Sequence, residues 1–414
     1  MTARYQLHSK LGLIISIIIL LSFVTSTWVL AQQPKEVKVG ALLTLTGALA
    51  QAGKNHRNVV EFAASDINSR GGIKSLGGAK IVLAFGDSQA KPEIAVSETE
   101  RLIQEEKVSV IIDQYPSVTT LSATSVAERL KTPFLAAISY ADAITERGYK
   151  FTFQLEPIGD EVARNQILLV NYMNKLTGGK IKKAAVLFED TDYGQTAAKG
   201  QRKYLKESGY AIAADLSFPS RTPNFDPILI KLKANDPDVV FDQSYLSDAI
   251  LIAKTSDKLG LLNIPWIAGG TKTQPAYYEP MGKLDQGAFA LSMWEGDISA
   301  EAKALNERYK AKYGVNLDGI TMLLYQGMWV IKEAVEKAGS ADREAMRNAM
   351  ASMEIKPGPN LYMPYEYIKF NQKGLNTGGG FIFIQLQDGK PVTVFPEKFA
   401  AKKIDFSPFT KLKK

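Results

Sequence analysis

Three hydroxyl side chains stand where an apolar run gives way to a helical pattern. Ser117, Thr119 and Thr120 follow the run VSVIID and open the segment PSVTTLSATSVAE. A helix start offers backbone N–H groups without partners in the helix and the positive end of the helix dipole, so hydroxyl and amide groups there can bind a carboxylate. Ser117 or Thr119 could instead cap its own helix, a common role for these residue types. Spacing alone leaves both interpretations open.

A second pattern occurs twice in the chain. The segments VIIDQY (110–115) and VVFDQSY (239–245) each place an aspartate, a glutamine and a tyrosine just after an apolar run. In open α/β sheets, ligands bind outside the carboxyl ends of the strands. If the two runs are strands of different lobes, their ends can face each other and line one cleft.

The side chains that usually carry catalysis are scarce. The chain has no cysteine, which excludes disulfides, thiolate nucleophiles and thiolate metal sites. His8 lies in the apolar leader described below, which leaves His56, and its place at a helix start predicts an exposed residue rather than a catalytic base. No G-x-S-x-G or H-E-x-x-H motif is present. We therefore expect no catalytic residue, no metal and no cofactor.

The elements that must position these groups alternate along the chain. From Val37 onward short apolar runs alternate with helical patterns, and near Glu156 the alternation starts again. This predicts an α/β fold of two lobes, each with parallel strands joined by helical crossovers. Later helices and strands are too few for a third domain; they are predicted near 299–312, 319–338 and 341–352 and in YIKFN and FIFIQL.

The first 31 residues differ from the rest of the chain. Arg4 and Lys10 precede a long apolar run, acidic residues are absent, and Val29 and Ala31 are small residues suited to a cleavage site. Residues 1–31 are therefore predicted to be a cleavable secretory signal that directs the protein to the periplasm. An uncleaved membrane anchor is the alternative, because the apolar run is long.

The charge and composition of the chain are those of a folded protein. The chain has 414 residues, 45% of them apolar and 22% charged, as in folded proteins. Without the leader, 48 basic and 43 acidic residues remain, and the excess is spread thinly. No basic stripe with interleaved aromatic residues is present, so we expect no nucleic-acid partner.

Three segments, in chain order, resemble one family of transport proteins. Along residues 36–400 the chain is similar to the solute-binding proteins of ABC importers for branched-chain amino acids, amides and related compounds. The segments are KVGALLTLTGALAQAGKNHRNVVEFAASDINSRGGI, YPSVTTLSATSVAERLKTPFLAAISYADAITERGYKFTF and AVLFEDTDYGQTAAKGQRKYLKESG. The resemblance implies a type I periplasmic binding protein, with two Rossmann-like lobes joined by a three-segment hinge. By that pattern lobe 1 comprises 36–156 and 294–373, and lobe 2 comprises 157–293 and 374–414.

The resemblance also implies how such a protein works. It is expected to be a monomer that captures a small amino acid, amide or carboxylic acid between its lobes, closes over it, and presents it to an ABC-transporter permease. It catalyses no reaction, since other subunits hydrolyse ATP. A sensory or regulatory binding module of the same fold is the alternative.

The family's ligand-binding positions can be carried onto this sequence. The serine that binds the ligand's carboxylate falls on Ser117. The other positions fall on Tyr115, Ile138, Ser139, Tyr140, Tyr193, Tyr245 and Thr271.

One departure from the family bears on the ligand. The acidic residue that neutralises the ammonium group of a leucine-like ligand falls on Gly270 or Thr271. A buried ammonium without a counter-charge is costly. Either Asp113 or Asp242 replaces the missing acid, or the ligand has no ammonium group. The tyrosines of the site favour the second interpretation, a flat or amide-bearing acid.

Overall fold

The first sheet is built from the N-terminal part of the chain. The computed structural model describes residues 35–412, apart from 114, 115, 140, 157 and the side chain of Ala48. The predicted leader lies outside this range. Five parallel strands pair in the order β2-β1-β3-β4-β5. They are β1 (Glu36–Leu43), β2 (Lys80–Asp87), β3 (Val110–Asp113), β4 (Phe134–Ala136) and β5 (Thr152–Gln154).

Helices connect these strands, as the alternation predicts. Each contributes an apolar face to the core; in α1, Val60, Ala63 and Ile67 are buried. We predicted that His56 is exposed, and this is wrong. His56 lies one turn before Val60 on the same face, is 1% exposed, and burial lowers its pKa to about 3. The helices are α1 (Ala50–Ser69), α2 (Pro92–Gln104), α3 (Ser117–Arg129) and α4 (Ala143–Glu146).

The second sheet has seven strands in the order β12-β11-β10-β9-β8-β6-β7. Strands β6 to β10 run parallel, while β11 is antiparallel to β10 and β12 is antiparallel to β11. The strands are β6 (Lys183–Glu189), β7 (Ala211–Phe218), β8 (Val239–Gln243), β9 (Trp266–Ala268), β10 (Phe289–Ser292), β11 (Ile382–Gln387) and β12 (Lys390–Phe395). Their connecting helices are α5 (Gly159–Leu176), α6 (Asp192–Glu207), α7 (Asp226–Ala234), α8 (Leu246–Lys258) and α9 (Pro275–Met281).

The late helices return to the first sheet. They are α10 (Ala300–Tyr313), α11 (Thr321–Ala338) and α12 (Arg343–Ser352). Helix α11 packs against α1 and β3, and α12 packs against α11. Asp66 of α1 accepts hydrogen bonds from Arg308 and from the Tyr325 hydroxyl, each at 2.7 Å. Each lobe is therefore assembled from segments that are far apart in the sequence.

The chain passes between the sheets at three places: after β5, after β10 and before β11. Before the last passage, Gln154 N donates to the Gly374 carbonyl and Asn376 N donates to the Gln154 carbonyl. Gly374 and Asn376 lie just beyond the lobe boundary predicted at 373. The strand predicted in YIKFN is wrong: Ile368 and Phe370 form only isolated bridges there. Among the described residues, no helix has the length and apolarity needed to span a bilayer.

Candidate functional site

A cavity lies between the two sheets, where strand ends of both lobes meet. Six of the residues predicted for the site line it. The lining residues are Ser117, Ile138, Ser139 and Glu156 from the first lobe, Tyr193, Tyr245, Leu246, Gly270, Thr271 and Gln274 from the second, and Ile320 from the loop before α11. Tyr115 and Tyr140, also predicted, lie outside the described residues.

Ser117 is the first residue of α3, and its side chain is 3% exposed. Pro116 occupies the N-cap position, with no side-chain cap bond, and Thr119 Oγ1 donates to the Pro116 carbonyl at 2.7 Å. Neither Ser117 nor Thr119 is therefore the N-cap residue of this helix. The Ser117 hydroxyl lines the cavity beside the positive end of the helix dipole, an arrangement that suits a carboxylate.

The end of β4 forms the next part of the wall. Ser139 is held by the protein on two sides, because Gln154 Nε2 donates to its carbonyl at 2.6 Å and its hydroxyl lies 2.8 Å from Thr120 Oγ1. Thr120 Oγ1 also donates to Asp113 Oδ2 at 2.5 Å. Asp113 is buried and does not line the cavity.

Two stacked tyrosines form the wall on the side of the second lobe. Tyr193 lies in the first turn of α6 and Tyr245 is the N-cap residue of α8. Their ring centroids are 4.9 Å apart and the ring planes differ by 18°. The pair offers a flat apolar face to a ligand.

Gly270 and Thr271, which follow β9, line the cavity and place no charged group against it. A Cβ atom at Gly270 would lie 2.8 Å from Ile320 Cδ1, so Ile320 fills the space that a side chain there would need. The Thr271 hydroxyl donates to the Ser244 carbonyl at 2.7 Å. This position, acidic in the family pattern, is therefore apolar and tightly packed.

Asp242 belongs to a buried network behind this segment. Lys272 Nζ lies 2.8 Å from Asp285 Oδ2 and 3.9 Å from Asp242 Oδ2. Ser244 donates to Asp242 at 2.6 Å and the Tyr277 hydroxyl donates to Asp285 at 2.5 Å. Asp242 does not line the cavity; its carboxylate faces a lysine of its own lobe.

Glu156 lines the cavity but was not predicted from the sequence, and the same holds for Leu246, Gln274 and Ile320. Glu156 follows β5 by two residues, is 1% exposed, and its Oε2 has no hydrogen-bond partner among the described residues. Burial raises the pKa of Glu156 well above its usual value. The rule that ligands bind outside the carboxyl ends of strands could have identified it.

A second cavity adjoins the first and shares Ser117, Tyr193 and Tyr245 with it. Glu189, at the end of β6, lines this space. Burial raises the pKa of Glu189 to about 7, while Ser220 and Arg221 act in the opposite direction. Within the part of the chain that the structure describes, no group of three or more metal-ligating side chains is placed to hold a metal ion.

Comparisons with known proteins agree with this architecture. A family model described as periplasmic binding protein matches residues 36–390. Leu/Ile/Val-binding protein homolog 7 of Brucella melitensis is 30% identical over 382 residues, which are 89% of this chain and 94% of that protein.

Two solved structures share the fold. A solute-binding protein of an ABC transporter from Rhodopseudomonas palustris BisB5, in complex with 3,4-dihydroxybenzoic acid, has a TM-score of 0.76 at 22% identity, covering 90% of this chain and 99% of that one. The branched-chain amino acid transporter substrate-binding protein of Streptococcus pneumoniae, in complex with isoleucine, has a TM-score of 0.72 at 21% identity, covering 86% and 99%. The matching sequence and the two-lobed fold show that this chain belongs to the periplasmic binding proteins, as a leucine-binding-protein-like member of the type I group.

Proposed function

We propose that this protein is an extracytoplasmic receptor that captures a small carboxylate-bearing solute between its lobes and delivers it to the permease of an ABC importer. The observation that carries the proposal is the cavity itself. It is lined by polar side chains from both lobes, and all of these except the partly buried Tyr245 are buried. Solvent is excluded from such a site only when the lobes are close together, as expected for a receptor that closes over its ligand.

The proposed binding mode assigns a role to each wall. The ligand's carboxylate binds the Ser117 hydroxyl and the backbone N–H groups at the start of α3. The Ile138 carbonyl accepts a hydrogen bond from the ligand, and the stacked rings of Tyr193 and Tyr245 pack against its apolar part. Thr271 shapes the cavity, because its hydroxyl is already bonded to Ser244.

The relatives support a carboxylate-bearing ligand. One solved relative holds isoleucine and another holds 3,4-dihydroxybenzoic acid, two molecules that share a carboxyl group and differ in almost everything else.

Three experiments test the proposal. Native mass spectrometry of the purified protein should find a bound small molecule, and small-angle scattering should show a smaller radius of gyration when that molecule is added back to stripped protein. A strain that lacks the gene should then lose uptake of the molecule. Unchanged uptake, with loss of a transcriptional or chemotactic response, would support the sensory alternative instead.

A further inference from the structure

Glu156 brings to the cavity a charge that no other part of its described wall supplies. The remaining lining residues are serines, a threonine, tyrosines, a glutamine, a glycine and aliphatic side chains, so no lysine or arginine is among them. The nearby Lys272 is not available, because it faces Asp285 and Asp242 inside the second lobe.

The backbone around Glu156 is fixed. Leu155 N donates to the Ala136 carbonyl at 2.9 Å, which continues the pairing of β4 with β5 beyond the last strand residue. On the other side Asn376 Nδ2 donates to the Leu155 carbonyl at 3.2 Å. The Glu156 side chain is therefore held at the cavity by the sheet and by the returning chain.

A buried carboxyl oxygen without a partner is unusual in a folded protein and needs an explanation. Glu156 Oε2 has no partner among the described residues, although the carboxyl is 1% exposed. Burial and then the nearby Glu156 raise the pKa of Tyr365, whose hydroxyl likewise has no partner among the described residues. An ionised Glu156 would lack a counter-charge unless a ligand brings one.

We propose that Glu156 is the carboxylate that binds a protonated amine of the ligand, in place of the acid missing at Gly270 and Thr271. The proposal rests on the function proposed above and narrows its ligand to a small zwitterion, with the carboxylate at Ser117 and the ammonium at Glu156. This ligand class differs from the one that the tyrosines favoured in the sequence.

The fold places the two subsites within reach of one molecule. Ser117 follows β3 and Glu156 follows β5, with β4 between them. The backbones of Ser117 and Glu156 are therefore about two strand spacings apart, roughly 10 Å. Both residues line the same cavity. Both lie in the first lobe, so the ligand's two charges are fixed there before the second lobe closes over it.

Binding of this kind releases a proton. In the empty cavity burial favours the protonated carboxyl. When an ammonium group arrives, the carboxyl gives its proton to solvent and the ion pair forms, so binding is accompanied by proton release. A ligand without an amine needs no such release.

The test uses two pools of probes on ligand-stripped protein: the standard L-amino acids with γ-aminobutyrate, and the same carbon skeletons without the amino group. The zwitterion pool should raise the melting temperature and the des-amino pool should not. Titration calorimetry of the best zwitterion in two buffers of different ionisation enthalpy should report the released proton.

Glu156→Gln should weaken binding of that zwitterion by at least about 100-fold, because it removes one partner of a buried ion pair. Glu156→Asp keeps the charge and should retain part of the affinity. Glu295→Gln is the matched control: Glu295 is also buried with a raised pKa but does not line the cavity, so affinity should not change.

Other outcomes would overturn the proposal in distinguishable ways. Stabilisation by the des-amino pool alone, or wild-type affinity in Glu156→Gln, would contradict the role of Glu156 and leave the receptor function intact. No stabilisation by either pool would count against the receptor function as well.

Discussion

The carboxyl of Glu189 should make the ligand-free protein less stable as the pH rises. Burial raises its pKa from 4.5 to about 7. Between these values the folded protein keeps a proton that the unfolded chain has released, so the free energy of unfolding falls with increasing pH. The stability from this group is complete below about pH 4.5 and is lost as the pH rises through about 7. A shift of this size corresponds to about 3 kcal/mol.

Glu189→Gln removes the titration and keeps the shape of the side chain. The free energy of unfolding of wild type minus that of the variant should therefore fall by about 3 kcal/mol between about pH 4.5 and about pH 8. Urea unfolding of ligand-free protein, followed by tryptophan fluorescence at several pH values, measures this difference. Glu207→Gln, at an exposed position near the end of α6, is the control for a glutamate-to-glutamine change outside the cavity.

A difference between wild type and Glu189→Gln that stays constant across this range would refute the reasoning. It would mean that Ser220, the Tyr245 backbone and Arg221, which favour the ionised form, balance the effect of burial. A difference that grows with pH would mean that they outweigh burial, so that the folded protein favours the carboxylate over the acid.

Three further substitutions have defined outcomes. Ser117→Ala should weaken binding of the best probe by about 10- to 100-fold in calorimetry, through loss of a charge-assisted bond. The melting temperature without ligand should stay unchanged, whereas a fall with unaltered affinity would indicate a structural role. Lys272→Met should lower the free energy of unfolding by about 3–5 kcal/mol, because it leaves Asp285 buried without its cation, and a loss below about 1 kcal/mol would contradict this. Gly53→Ala should destabilise the protein by about 1–3 kcal/mol in denaturant unfolding, since its Cβ would lie 1.7 Å from the Thr44 carbonyl oxygen; an unchanged midpoint would contradict the packing.

Periodicity predicted most of the helices and strands because buried faces repeat at the spacing of the element. The helix predicted near 299–312 is found at Ala300–Tyr313, and the one near 341–352 is found at Arg343–Ser352. Short strands were harder to predict. Phe289–Ser292 has four residues and all are buried, so it has no alternation to detect, and Lys390–Phe395 begins with a lysine and a proline at the edge of its sheet.

The candidate site was predictable where residue type and position agreed. Ser117 was identified because a hydroxyl at a helix start suggests anion binding, and the tyrosines entered through the family pattern. Glu156 was missed because a glutamate is rarely expected in a buried place, and its contact with the cavity depends on how β4 and β5 pair. The partners of Asp242 could not be predicted from the sequence, because Lys272 and Asp285 come close to it only in the folded chain.

The late return of the chain to each lobe also affects how the protein is made. A nascent chain that has reached residue 320 contains all five strands of the first sheet but lacks α11, which covers α1 and β3. The second sheet is completed later during synthesis, because its last strand, β12, ends at Phe395. Domains usually fold in turn as they leave the ribosome. Here neither lobe can be completed before its late segments have been made, α11 and α12 for the first lobe and β11 and β12 for the second.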